Sequence, residues 1–281
     1  MNPELSIIIP CYNSEKTLEK TLASVLNQNF QNWEAIIVND GSTDNTEATA
    51  NAWVAKDKRF KYFSKPNEGL GKTRNFGISK AVGNYILPLD SDNLVIKEFG
   101  QEAIDLLNSN SKIGVVHGNA EYFGEKSGVW GISEFNLDRM LISNFIDACA
   151  IYRKELWEKV GGYDERMPYQ GHEDWEFWIA LGVRNIKFHH LHQITFKYFV
   201  SSNSMIRTFT DEMLVANRDY IVKKYSKVYH RKLAEKLNDI AHSKKQLDVM
   251  QEGFESKLKS EKFLINNLTK RLFGFTLFTI K

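Results

Sequence analysis

Only two cysteines, Cys11 and Cys149, occur in the 281 residues, and they lie far apart. That excludes a disulfide-stapled scaffold and suits a reducing compartment. No apolar run is long enough to span a bilayer. The stretches "LSIII" at 5–9 and "LFGFTLFTI" at 272–280 fall well short of the ~20 residues that a spanning helix needs. The first also lacks the charged start and cleavage site of a signal peptide. The expectation is a cytoplasmic chain, or one peripheral at the inner face of a membrane. No G-x-G-x-x-G follows the first apolar run, which counts against a dinucleotide oxidoreductase. The G-x-x-x-x-G-K-[ST] order of a P-loop is missing too. "HHLH" at 189–192 has no cysteine or spaced histidine partner, so a zinc site is disfavoured. Internal repeats and low-complexity segments are also lacking.

What is present is an ordinary globular composition, 42% apolar and 26% charged, in a chain long enough for one large domain or two modest ones. The net charge of +2 conceals an asymmetry. Residues 223–281 hold 14 Lys/Arg against 6 Asp/Glu, a surplus of +8 that leaves the first 222 residues at −6. The acidic body argues against generic nucleic-acid binding. The basic tail suits an anionic membrane, a polyanion, or simply a solvated helix face.

Buried-strand runs alternate with helical periods along the first hundred residues. "LSIII" (5–9) ends at Pro10, and Leu18, Leu22, Val25 and Leu26 give an amphipathic helix within 15–28. "EAIIV" (34–38) is followed by the turn "NDGSTDNT" and a helix from about Asp44. "FKYF" (60–63), a helix over 72–82 and the strand "YILPL" (85–89) complete the rhythm. This pattern predicts an α/β fold with a mostly parallel central sheet flanked by helices, whose ligands gather at the carboxyl ends of the strands. All four such ends carry polar turn residues. Farther on, strands are expected at "GVVHG" (114–118), "DACAIY" (147–152) and "KFHHLHQITFKYF" (187–199), with helices around 98–108, 153–159 and "EDWEFWIALG" (173–182). From 210 the pattern is helical to the end. Leu237, Ile240, Lys244, Leu247, Gln251, Phe254, Leu258, Glu261, Ile265 and Leu268 alternate by three and four. That spacing suits a short coiled coil, or packing against the chain's own body.

Three clusters carry chemistry. Asp90 and Asp92, at the end of "YILPLDSDN", form a solvated turn, a helix cap or a hard-cation site, since Mg²⁺ and Mn²⁺ take oxygen ligands. Asp40 either ties down the turn after its strand or accepts hydrogen bonds from a base or ribose. Glu173 and Asp174 stand at a helix start, where the dipole favours ionised carboxylates; they either cap the helix or serve as general base to an acceptor hydroxyl. Trp175 and Trp178 read as core or as an acceptor platform. Arg74 and Asn75 lie early on a helix after a glycine-containing loop, a setting that suits phosphate.

"SIIIPCYN…LEKTLASVLNQ", "EAIIVNDGSTDNT", "NEGLGKTRNFGISKAVGNYILPLDSDN", "VGGYDE" and "EDWEFWIALG" together resemble, in order and spacing, the inverting family 2 glycosyltransferases of GT-A fold. The likeness covers about residues 4–205. It implies a nucleotide-sugar-binding half (1–95), an acceptor-binding and catalytic half (96–209), and a basic helical tail (210–281) beyond it. On this resemblance Pro10, Tyr12 and Asn13 line the nucleotide pocket, Asp40 reads the base and Arg74 lies near the nucleotide. Asp90 sits by the ribose or a metal-bound water, and Asp92 ligates a Mn²⁺ or Mg²⁺ ion bridging the diphosphate. Asp174 is the catalytic base, with Glu173 orienting the acceptor. His190 and His192 are candidates for an additional metal ligand. Where a Tyr-Arg pair is common, this chain has Tyr198–Phe199, so a basic phosphate contact there would fall to Lys197 or Arg207. The implied partners are a nucleotide-diphosphate sugar, with a UDP-sugar favoured, and a glycan or glycolipid acceptor. The tail would meet a membrane surface or a second copy. The rival readings are a nucleotidyltransferase that forms sugar nucleotides, for which "PCYNSEKT" lacks the glycine-rich, arginine-containing loop, and a non-catalytic sugar-nucleotide-binding or scaffold protein.

Overall fold

The computed structural model describes residues 2–202 and 208–279. It divides into two compact units, Met1–Lys224 and Tyr225–Lys281. In the first, β1 (Leu5–Cys11) is buried along its whole length between β2 (Trp33–Asp40) and β4 (Tyr85–Pro88), with β3 (Phe60–Lys65) outside β2. These four strands are parallel. Their near-continuous apolar runs follow from helices covering both faces. The covering helices are α1 (Leu18–Leu26), α2 (Thr46–Lys56) and α3 (Leu70–Lys80). Gly77 lets α3 lie against β1 and β2, because a Cβ there would stand 2.6 Å from Ile8 Cγ2. The β1–β4 ladder stops at Ile8–Pro88, and Pro10 pairs only with Val38 of β2. Prolines, which cannot donate to a ladder, thus sit where the strands part and their ends open.

The second half extends the sheet in the order β3-β2-β1-β4-β8-β6-β9-β5, nine strands among the described residues once β7 on β6 is included. After β5 (Leu94–Val95) and α4 (Phe99–Ser109), β6 (Ile113–Gly124) turns back through β7 (Gly128–Trp130). The turn α5 (Leu137–Met140) leads to β8 (Ile151–Arg153), which runs antiparallel to β4 and β6 and joins the two halves. Next come α6 (Lys154–Val160), α7 (Glu173–Gly182), β9 (Lys187–Val200) and α8 (Asp211–Lys224). The β6–β9 ladder is parallel and long, so the sheet is mostly parallel with short antiparallel seams. The expected strand over 147–152 begins only at Ile151. Cys11 and Cys149 are both buried and free.

The first unit runs past the expected boundary at 209, as far as Lys224. Asn217 and Ile221 of α8 are fully buried, and its Tyr220 and Lys224 bond to Asp164, so α8 belongs to the sheet-bearing unit. The second unit holds α9 (Ser226–Lys259) and α10 (Glu261–Phe273). Ser260, extended at ψ 120°, breaks the helix and caps α10 through the Phe263 amide. The three–four apolar spacing of 237–268 is therefore carried by two helices, not one. No helix among the described residues is long and apolar enough to cross a membrane.

Candidate active site

The loops after β1, β2 and β4 are sewn together by short polar side chains. The Asn13 amide, on a left-handed backbone at φ 51°, donates to Ser42 Oγ, and Asn13 Oδ1 accepts the Thr43 amide, each at 2.9 Å. The Ser14 amide donates to Thr46 Oγ1 at 2.7 Å, and Ser14 Oγ lies 2.7 Å from Ser91 Oγ, within the Asp90–Asp92 turn. The result is one rim around a cleft of about 970 Å³. Pro10, Tyr12, Asn13, Arg74, Asp90, Asp92, Glu173 and Asp174 all line it. Residues from four separate segments, expected from the sequence to act together, thus share one cavity.

Arg74 joins the two halves of the site. It projects from α3, only 2% exposed, and pairs through Nη2 with Asp90 at 2.5 Å and through Nη1 with Glu173. Burial would favour loss of its proton, but the charges of Asp90 and Glu173 outweigh that and hold the guanidinium protonated. Glu173 also accepts the Gly171 amide at 2.8 Å. Asp174, next along the first turn of α7, accepts from Asn144 Nδ2 at 2.9 Å and from the Trp175 amide at 2.8 Å. Burial, reinforced by Glu173, pushes its carboxyl up to about 7 despite Arg74 and these donors. A carboxyl so placed can take up a proton near neutrality, which is the chemistry asked of a general base.

Asp147, which carries no motif that marks it as functional, also lines the cleft. Trp175 and Trp178 are core rather than platform. Their indoles donate to the carbonyls of Met140 (2.6 Å) and Ile146 (3.1 Å), which seats the 140–147 loop on α7. That loop turns Asp147 into the cavity, its Oδ1 accepting the Cys149 amide at 2.8 Å. Burial, with repulsion from Asp90 and Asp174, pushes its carboxyl up to about 8. Burial and Asp90 likewise raise Asp92 to about 7. The one signal in the sequence was an acidic residue inside the apolar run "FIDACAIY".

Among the described residues neither Asp92 nor Asp147 is ion-paired, whereas Asp90 is taken by Arg74. A desolvated carboxylate without a cation, at the mouth of a parallel sheet, offers the hard oxygen donors that Mg²⁺ or Mn²⁺ accepts. The described residues contain no cluster of three or more His, Cys, Asp or Glu side chains able to hold a metal ion by themselves. The fit is thus to an ion held by one or two carboxylates and completed by water and phosphate, which is how Mg²⁺ is usually bound.

Other expected site residues stand elsewhere. Asp40 does not line the cleft; Lys65 Nζ (2.6 Å) and the amides of Glu68 (3.0 Å) and Gly69 (2.9 Å) occupy its oxygens, so it fastens the loop before α3. His190 and His192 are not brought to Asp92. The β6–β9 register sets His190 against Asn119 (3.1 Å) and His192 (3.0 Å), while His192, left-handed at φ 50°, faces Glu134. Lys197 is paired with Glu121 at 2.8 Å; Arg207 lies outside the described residues. Phe199 lines the cleft beside Phe123, and its amide donates to Asn93 Oδ1 at 2.9 Å.

Comparison with known proteins agrees with this geometry. The family model described as glycosyl transferase family 2 matches residues 6–161. An uncharacterised glycosyltransferase of Haemophilus influenzae is 41% identical over 118 residues, covering 42% of this chain and 47% of the relative. One from Rickettsia typhi is 32% identical over 202 residues, covering 67% of this chain and 62% of the relative. The chain thus spans less than two thirds of these relatives. Among solved structures, Staphylococcus aureus TarS 1–349 in complex with UDP-GlcNAc superposes with a TM-score of 0.64 at 22% identity, covering 77% of this chain and 64% of that one. The mannosyltransferase PcManGT of Pyrobaculum calidifontis, in complex with GDP-Man and Mn²⁺, gives 0.58 at 14%, covering 98% and 88%. At these identities the likeness is one of fold.

Proposed function

Because this chain belongs to glycosyl transferase family 2, we propose that it moves a sugar from a nucleotide-diphosphate sugar to an acceptor hydroxyl in one displacement, with inversion at the anomeric carbon. The observation that carries the reading is the single cleft shared by the Asp90–Asp92 turn and the Glu173–Asp174 pair, with Arg74 bridging Asp90 and Glu173. Pro10, Tyr12 and Asn13, on the rim at the end of β1, would hold the nucleotide. Asp92, with Asp90, would hold Mn²⁺ or Mg²⁺, which when bound neutralises charge on the departing diphosphate. Asp174 Oδ takes the proton of the acceptor hydroxyl as that oxygen attacks. Glu173, fixed by Arg74 and the Gly171 amide, orients the acceptor. UDP-sugars are the favoured donors, in line with the UDP-GlcNAc bound by TarS.

For the acceptor we favour a surface glycan or glycolipid. Leu264, Ile265, Leu268 and Leu272 are exposed along one face of α10, among Lys262, Lys270 and Arg271, a pattern suited to an anionic interface. The spaced apolar residues of α9 suit a second copy. A thermal-shift screen of nucleotide sugars with Mn²⁺ tests the donor site, because a ligand of the native state raises Tm. A rise with UDP-sugars supports the reading, and no rise with any nucleotide sugar contradicts it.

A further inference from the structure

α8 lies beyond the family match, yet one face of it grips the segment that delivers Asp174. Asn217 is fully buried. Its Oδ1 accepts the Tyr169 amide and its Nδ2 donates to the Tyr169 carbonyl, each at 2.9 Å, so the carboxamide pairs with that peptide as a neighbouring strand would. Nδ2 also lies 3.1 Å from Nδ1 of His172, the residue preceding α7. Because the amide nitrogen can only donate, Nδ1 is the accepting nitrogen and the ring's proton sits on Nε2. The His172 ring is packed by Trp175 and Phe209 with centroids at 5.5 and 4.8 Å.

Three and seven residues on, along the same face of α8, Tyr220 and Lys224 continue the grip. The Tyr220 hydroxyl donates to Asp164 at 2.8 Å. Lys224 Nζ reaches Asp164 at 2.5 Å and Glu176 at 2.7 Å. The segment from 164 to 172 has no regular structure of its own and contains Gly171 at φ 101°. Its backbone is therefore set by what it is bonded to, and the carboxylates of Glu173 and Asp174 follow directly from it.

We propose that Asn217 is a positioning residue for the transfer reaction: through Tyr169 and His172 it fixes the entry into α7 and so the place of Asp174 relative to the acceptor. This rests on the reading of Asp174 as the base. Small displacements of a catalytic group cost up to about 10²-fold in rate, whereas the donor's proposed binding groups stand on other elements, at the ends of β1 and β4.

The test compares wild type with Asn217→Ala in the full chain, by hydrogen–deuterium exchange and by release of UDP from UDP-GlcNAc with Mn²⁺. The expected result is faster exchange confined to residues 164–174, with kcat about 10–100-fold lower and donor KM within about twofold. Unchanged exchange there, or a kcat that holds while the segment loosens, overturns the proposal. So does a parallel loss in kcat and donor affinity, which is what general destabilisation produces. If Asn217→Ala does not fold, Asn217→Ser, whose hydroxyl keeps part of the pairing, is expected to show the same pattern more weakly. If wild type releases no UDP from any UDP-sugar, the function proposed above fails by itself. The exchange experiment then decides whether Asn217 braces the segment.

Discussion

Arg74 and Glu173, 99 positions apart in sequence, form a buried ion pair in which both side chains are at most 3% exposed. Removing one partner from such a pair leaves a charge without compensation, which typically costs about 3–5 kcal/mol. Arg74→Met is therefore expected to lower stability by that order in urea unfolding. Arg74→Met with Glu173→Gln should recover much of the loss, because both charges are then gone. A single variant as stable as wild type would show that the pair does not hold the two halves of the site together.

Asp174→Asn keeps the shape and loses the base. Turnover should fall about 10²–10⁴-fold while donor affinity, read by calorimetry with UDP-GlcNAc and Mn²⁺, stays unchanged. Equal losses in both would remove Asp174 from the role of base.

As the proposed base, the same group is expected to set the pH dependence of the rate. Burial and Glu173 raise the Asp174 carboxyl to about 7, and only the ionised form accepts a proton. The rate constant for transfer should fall as pH drops below about 7 and level off above it. A profile flat from pH 5 to 9 would contradict this.

Asp147 offers a test of stability instead. Its carboxyl is raised from an unfolded value near 3.8 to about 8, chiefly by burial. The folded state thus holds its proton more tightly than the unfolded state does. That contribution is fully present below about pH 4 and is lost progressively as pH rises to about 8. Asn in its place never ionises, so Asp147→Asn should raise Tm over wild type by a margin that grows from pH 4 to pH 8. Thermal melts across that range check it, and a margin that shrinks with pH would contradict the assignment.

The fold and the rim of the site were legible because buried parallel strands have a plain signature: apolar runs such as "SIII" and "EAIIV" that stop at Pro10 or in polar turns. The acidic side chains that follow such runs fall at the carboxyl ends of the strands, where Asp90 and Asp92 line the cleft. Asp147 was hidden because the 147–150 stretch, apolar and adjoining β8, reads as strand, while its loop conformation is imposed by two indoles 28 and 31 positions later. Asn217 was hidden for a similar reason, as a single amide on a polar helix gives no sign that it is fully buried. The partners of Asp40 and the histidines were not legible, because β-register and a lysine across the ladder, neither visible in one chain segment, decide which groups those side chains meet.

The central claim is that Asp92 supports a cation-assisted departure of the nucleotide while Asp174 works in the same cleft. The most direct measurement is release of UDP from UDP-GlcNAc with Mn²⁺, with EDTA, and with Mn²⁺ restored, for wild type and Asp92→Asn. Release is expected to stop in EDTA, to return with Mn²⁺, and to be lost in Asp92→Asn. Release at an undiminished rate in EDTA, or by Asp92→Asn, would contradict it.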